Sequence, residues 1–110
     1  MRGKMMKRKR WRYALVQLDS ENLLSARDVS TSIRIGIKDL FGDFGLAQLE
    51  YRIIYYDEKQ NMIIIKCRRE CVDYLKSALL LIKEIKEITV NLTVLKISGT
   101  IKKLKTEILI

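Results

Sequence analysis

A chain of 110 residues, 48% of them apolar and none of them proline, can close one modest core and leaves little length for irregular loops. With no histidine and only two cysteines it lacks the usual general base, the imidazole partner of a serine or cysteine nucleophile, and the ligands of a four-coordinate zinc site unless carboxylates join in. The net charge of +9 points to a polyanionic partner and makes the placement of the excess the first question.

Residues 1–11 read as a basic arm, followed by a single α/β sandwich domain over residues 12–110 that ends in a basic segment. Arg2, Lys4, Lys7, Arg8, Lys9 and Arg10, with Arg12 just beyond, carry seven positive charges and no acid interrupts them. Clustered charge of this kind suits a polyanion, because each neutralised phosphate releases condensed counterions. The competing readings are a solvating tail or an expression remnant ahead of Met5 or Met6. Trp11, inside the basic run, either stacks on a base or an arginine, or caps the core where the chain enters the fold. The apolar stretch after the arm, residues 13–18, is too short for a signal-peptide core and stops at Asp19. No segment approaches the ~18 apolar residues needed to span a membrane, so the chain reads as intracellular and cytoplasmic.

A first strand is predicted over residues 12–18, then a connector over 19–24. Ser25 reads as an N-cap, with Asp28 three residues on, and Val29, Ile33, Gly36, Ile37 and Leu40 recur at helical spacing, so a helix is predicted over 26–41. Gly36 costs that helix ~1 kcal/mol against alanine, and its place on the apolar face suggests close approach to the sheet. Phe41-Gly42-Asp43-Phe44-Gly45 is a strong turn signal that ends the helix there. A second strand is predicted over 47–56, a polar hairpin loop over 57–61, and a third strand over 62–67 that is apolar on both faces and therefore central.

Val72, Leu75, Ala78, Leu79 and Ile82 predict a second amphipathic helix ending near Lys86, and a fourth strand follows over 89–97. After the Ser98-Gly99-Thr100 turn, Ile101, Leu104 and Ile108 hint at a short C-terminal helix with Lys102, Lys103 and Lys105 on its outer face. Strand, helix, strand, strand, helix, strand is the order of an α+β, ferredoxin-like or RNA-recognition-like sandwich: a four-stranded antiparallel sheet with two helices on one face. Ile54, Tyr56, Met62 and Ile64 leave apolar groups for both faces of that sheet. Either the terminal helix covers the second face, or those four residues form a surface for a protein partner.

The chemistry points to binding rather than catalysis. There is no phosphate-cradling GxxxxGK loop. Asp28 reads as a helix-start acid, Asp39 as a surface residue and Asp43 as a turn former, which leaves no metal cluster. Base stacking on the sheet face needs aromatics on the first and third strands; the third strand, Met-Ile-Ile-Ile-Lys-Cys, has none, and Tyr13 alone is a weak platform. Phosphate contacts through the arm (Lys7, Arg8, Lys9, Arg10, Arg12), Arg68 and Arg69, and the terminal Lys102, Lys103 and Lys105 are the better expectation. Lys66, Arg68 and Arg69 taken alone could equally be a solvated rim. Cys67 and Cys71 read as free thiols in a reducing compartment.

Taken in order, Arg12-Tyr13, Phe41-Gly42-Asp43-Phe44-Gly45, Ile64-Ile65-Lys66-Cys67-Arg68-Arg69 and Ser98-Gly99-Thr100-Ile101-Lys102-Lys103 form a set that resembles the ribonuclease P protein component 2 family. Lys66, where the family more usually has arginine, and Phe44, where it often has tyrosine, are mild departures; the short connector at 19–24 looks archaeal. The resemblance implies an accessory subunit of ribonuclease P that binds the ribonuclease P RNA, with no catalytic residues of its own. The holoenzyme removes the 5′ leader from precursor tRNA, and its RNA, not the protein, uses magnesium. It implies contact with precursor tRNA through the complex, pairing with ribonuclease P protein component 3, and doubling of that pair into a heterotetramer. The rival classes are a free enzyme of ferredoxin-like fold and a small-molecule-sensing ferredoxin-like regulatory module.

Overall fold

The computed structural model describes residues 8–109. The longest run of alternating apolar residues at the start of the chain forms β1 (Trp11–Ser20), which pairs antiparallel with β3 (Met62–Arg68) on one side and β5 (Ile88–Ser98) on the other. β2 (Arg52–Asp57) adds to β3, and the two-residue β4 (Glu84–Ile85) adds to β5, giving the order β2-β3-β1-β5-β4 with every neighbour antiparallel. The sheet therefore has five strands where four were predicted. The extra strand closes on β5 through Lys86 and Glu87, both at positive φ (50° and 66°), a tight hairpin built without the Asn-Gly or Asp-Gly pair that would have announced it.

Two helices pack on one face. α1 (Ala26–Leu49) starts where Ser25 accepts a hydrogen bond from the Asp28 amide at 3.1 Å, and buries Val29, Ile33 and Ile37 against the sheet residues Val16, Leu18, Ile63 and Ile65. α2 (Val72–Leu81) follows a single 3-10 turn at Arg69–Cys71 and adds Leu75, Ala78 and Leu79 to the same core. It ends well short of Lys86, because β4 takes over. Ile63, Ile64 and Ile65 are all fully buried, as a central strand requires.

The predicted turn at residues 41–45 is instead a kink. Helical backbone resumes after Gly42, which sits at φ 75° and ψ 179°, and runs on to Leu49. Each glycine answers a separate need. Gly42 occupies a backbone region that is nearly glycine-only. Gly45 leaves room for the Phe41 side chain, which packs directly over it from the preceding turn. The second strand consequently begins at Arg52 rather than residue 47: Leu49 is buried by the last helical turn, and its two-residue spacing to Tyr51 and Ile53 imitates a strand that has not yet begun. Gly36 also differs from expectation. A Cβ there would lie 3.0 Å from the Ile82 side chain, so the close approach is to the segment after α2, not to the sheet.

The opposite face carries α3 (Ile101–Leu109), which lays Leu104 and Ile108 onto Leu15 of β1 and Ile64 of β3. The C-terminal helix is thus what covers the second face. Ile64, predicted to be part of a protein-binding surface, is buried beneath it, and Tyr56 turns to the α1 side, where its hydroxyl donates to the Leu24 carbonyl at 2.8 Å. Ile54 and Met62 remain half-buried at the edge of the α3 cluster. The four residues do not form one surface.

Replacing Gly42 by alanine should cost about 1–3 kcal/mol, the strain of holding a Cβ in that backbone region. The urea midpoint should fall while its slope stays unchanged. Equal stability of the two proteins would show that the kink does not need glycine.

Candidate nucleic-acid interface

Antiparallel pairing decides which charges meet. Trp11 stands opposite Arg68, Arg12 opposite Cys67, and Tyr13 opposite both Lys66 and Ser98; across the next strand Lys66 stands opposite Arg52. The starts of β1 and β2 and the ends of β3 and β5 therefore share one end of the sheet. Three of the four motifs, far apart in sequence, arrive there together. The arm is drawn in as well, because the Arg69 amide donates to the Arg10 carbonyl at 2.9 Å and extends the pairing beyond the strand.

The result is an open cleft of about 480 Å³ lined by Arg8, Arg10, Arg68, Arg69 and Glu70. The arginines play two parts. Arg68 is an anchor: its Nη1 donates to Glu50 at 3.0 Å and its Nη2 to Glu70 at 2.7 Å, while its buried Nε has no protein partner. Glu50, at left-handed φ 47° just after α1, also takes a hydrogen bond from Lys9 at 3.0 Å, and so ties the arm, β3 and the end of α1 into one cluster. Among the described residues, no carboxylate lies within ion-pairing distance of Arg8, Arg10 or Arg69. Those three keep an uncompensated charge that a polyanion can use.

Arg12 is held differently. Its Nη1 donates to the Trp11 carbonyl at 2.9 Å, and its guanidinium lies against Gly99, where even a Cβ would come within 3.5 Å of it. The Ser98-Gly99-Thr100 turn thus accommodates Arg12, and the Ser98 hydroxyl accepts from the Thr100 amide at 3.1 Å as α3 begins. Lys102 and Lys103 follow in the first turn of α3 and are exposed. None of the three α3 lysines lines the cleft, and Lys105 lies apart: its ammonium sits 5.3 Å from the Tyr55 ring, over β2. Lys7 lies outside the described residues.

Several features were not read from the sequence. Glu50 is the organiser of the anchor, yet it looks like one more polar residue in an apparent strand. Exposed apolar groups sit on the helix side, with Phe44 77% and Leu80 and Leu81 each 64% exposed. The signal for the last two was present: four consecutive apolar residues, Leu79 to Ile82, cannot all face inward from one helix. The cysteines are free and buried; burial pushes the Cys67 thiol up to about 11 and raises Cys71 as well, which disfavours the reactive thiolate form of both. Among the described residues, no group of three or more His, Cys, Asp or Glu side chains could hold a metal ion, and no helix is long and apolar enough to cross a membrane.

Comparison with known proteins adds a family. The model of the Rpp14/Pop5 family matches residues 12–109. The chain is 34% identical over 102 residues to ribonuclease P protein component 2 of Methanocaldococcus jannaschii, covering 93% of this chain and 75% of that protein. It is 31% identical over 98 residues to ribonuclease P protein component 2 of Pyrococcus horikoshii, covering 89% and 82%. Its fold resembles that of a chain in the cryo-EM structure of yeast ribonuclease MRP, with a TM-score of 0.70, 14% identity and 92% of each chain covered.

The Glu50 cluster gives a pH signature. Hydrogen bonds from Arg68 first, and then Lys9, hold the Glu50 carboxyl below its ordinary value of 4.5. A carboxylate depressed on folding contributes stability that is present above its unfolded pKa and is lost as pH falls through the native one. Glu50→Gln should therefore be less stable than the parent at pH 7, and the gap should close as pH falls below the ordinary carboxylate range. Denaturation of both proteins across that range reads it; a gap independent of pH would mean that Glu50 does not act through its charge.

Proposed function

The chain belongs to the Rpp14/Pop5 family, and on that premise we propose that it is an accessory protein subunit of ribonuclease P. It binds the catalytic RNA and supports the removal of the 5′ leader from precursor tRNA, while the RNA supplies the chemistry. The observation that carries this reading is the convergence of Arg8, Arg10 and Arg69, none of them paired with a carboxylate among the described residues, on one end of a sheet whose two cysteines are buried and whose chain has no histidine. Arginine forks present paired donors to phosphate oxygens, and an arm pinned at Arg10 can follow an RNA backbone without fixed geometry.

Magnesium in this reading belongs to the RNA, and the protein contributes charge and position. Neutralising phosphates near the catalytic RNA domain lowers the repulsion that opposes its compact, active form. Lys102 and Lys103 extend the same basic end along α3, with Lys105 contributing a separate contact over β2. Precursor tRNA is met through the assembled complex. Ribonuclease P protein component 3 is the protein partner, and the pair doubles into a heterotetramer. Ile54 and Met62 are the residues of the predicted partner surface that stay accessible for such a contact.

Reconstitution tests the reading. Cleavage of precursor tRNA by the RNA subunit with its partner proteins should fall when this chain is left out. A variant with Arg8, Arg10 and Arg69 changed to glutamine should bind the RNA with a salt slope shallower by about 2–3, at ~0.7–0.9 per neutralised phosphate, with unchanged thermal stability. Leader-specific cleavage by the RNA-free chain, or a complex indifferent to its presence, would overturn the proposal.

A further inference from the structure

The open end of the second sheet face holds a tryptophan that the core does not use. Residues i and i+2 of a strand share a face, and directly paired residues of antiparallel strands do so too. Trp11 and Tyr13 of β1, Lys66 and Arg68 of β3, and Arg52 of β2 therefore lie on one face, the face that α3 covers further along. The cluster sealed by α3 reaches Tyr13 and stops. Trp11 belongs neither to it nor to the main core, and the residue is only half-buried. Its neighbours are cations: the Lys66 ammonium is 4.1 Å from the ring centroid and the Arg68 guanidinium 5.9 Å. A core-capping tryptophan would bury its ring against aliphatic side chains; this one is presented among positive charges, immediately after the arm residues that line the arginine cleft.

We propose that Trp11 is a stacking platform for an unpaired RNA nucleotide whose phosphates lie on the neighbouring arginines. The inference rests on the RNA-binding reading above and adds a chemical class to it, single-stranded rather than duplex RNA. An unpaired base offers a free π face to the indole, with phosphates beside it for the guanidinium groups of Arg8, Arg10 and Arg69. A duplex keeps its base faces stacked inside and offers only backbone. Lys66 has two partners in this scheme: it rests on the ring when the site is empty, and its flexible stem lets the ammonium move to a phosphate when a base takes its place. Charge complementarity selects the occupant. Arg52, Lys66 and the arginine cleft make this end strongly positive, and Glu50 and Glu70 are already committed to Arg68 and Lys9.

Trp11 is the only tryptophan in the sequence, so the full-length protein carries its own reporter. Oligoadenylate and an RNA duplex of equal length are titrated against the chain, reading tryptophan emission and, in parallel, the anisotropy of labelled RNA. Saturable quenching by oligoadenylate over the same range in which anisotropy rises, with little change on duplex binding, is the expected result. Trp11→Leu should weaken oligoadenylate binding by about 5- to 100-fold, the usual effect of losing one base–aromatic stack, with an unchanged salt slope; Trp11→Phe should retain most of the affinity. The parent protein's emission carries the test even if Trp11→Leu folds poorly. Binding by anisotropy with unaltered emission would overturn the stacking site and leave the RNA-binding reading intact. Quenching by component 3 and not by RNA would make the patch a protein contact and also overturn it. No binding of either RNA, or of the catalytic RNA, would remove both readings together.

Discussion

The antiparallel register of β1 against β3 is the constraint on which the rest of the structure hangs. With Trp11 opposite Arg68 and Val16 opposite Ile63, each strand turns one set of side chains to α1 and α2 and the alternate set to α3. A slip of one residue would exchange the two sets, sending Val16 and Leu18 toward the second face and leaving Leu15 among the helices. The same register, continued by the hydrogen bond from the Arg69 amide to the Arg10 carbonyl, brings the arm beside the end of β3. Core and charge cluster are thus set by one pairing, and the position of the arginines follows from the packing of the interior.

The two faces are sealed by different means. Behind α1 and α2 lies a broad aliphatic core, while α3 holds its face chiefly through Leu104 and Ile108, each worth about 1.5–3 kcal/mol when fully buried. The Lys96–Glu107 pair at 3.0 Å adds little, since both groups are close to half exposed and such pairs contribute about 0–1 kcal/mol. Apolar burial therefore keeps the helix in place, and among the described residues its exposed Lys102 and Lys103 take part in no ion pair. Arg68 shows the reverse case. Two carboxylates and a low exposure of 24% make it part of the framework, so its substitution would disturb the fold as well as any RNA contact. Arg8, Arg10 and Arg69, which form no ion pair among the described residues, are the positions at which the proposed RNA binding can be separated from stability.

Much of this was legible in the residues. The Ser25 cap, the apolar stripe at Val29, Ile33 and Ile37, the doubly apolar third strand and the Ile101–Leu104–Ile108 spacing each describe an element that forms, because each is a local pattern with a single physical reading. The misreadings arose where local signals compete. Gly42 and Gly45 look like a turn; they serve instead a kink and a close-packed phenylalanine, and the distinction depends on whether Leu46 to Leu49 find a core to bury in. The β4 hairpin turns on two charged residues at positive φ, which tertiary pairing enforces against their preference. At the proposed site, the sequence offered basic residues as candidates but not their arrangement. Nothing local shows that Glu50 would bind both Lys9 and Arg68, or that Lys105 would lie over Tyr55, since both depend on chain segments meeting across the sheet.

The central claim is that one end of the sheet is the RNA-binding surface, and amide hydrogen exchange of the full-length chain with and without the catalytic RNA tests it most directly. Exchange resolves protection segment by segment, so it separates the two ends of the same strands. The account predicts added protection at residues 8–13, 66–71 and 98–103, with the hairpins at 57–61 and 86–88 unchanged at the far end. Protection centred on those hairpins, or spread over α1 and α2 with the arginine cleft unaffected, would contradict it.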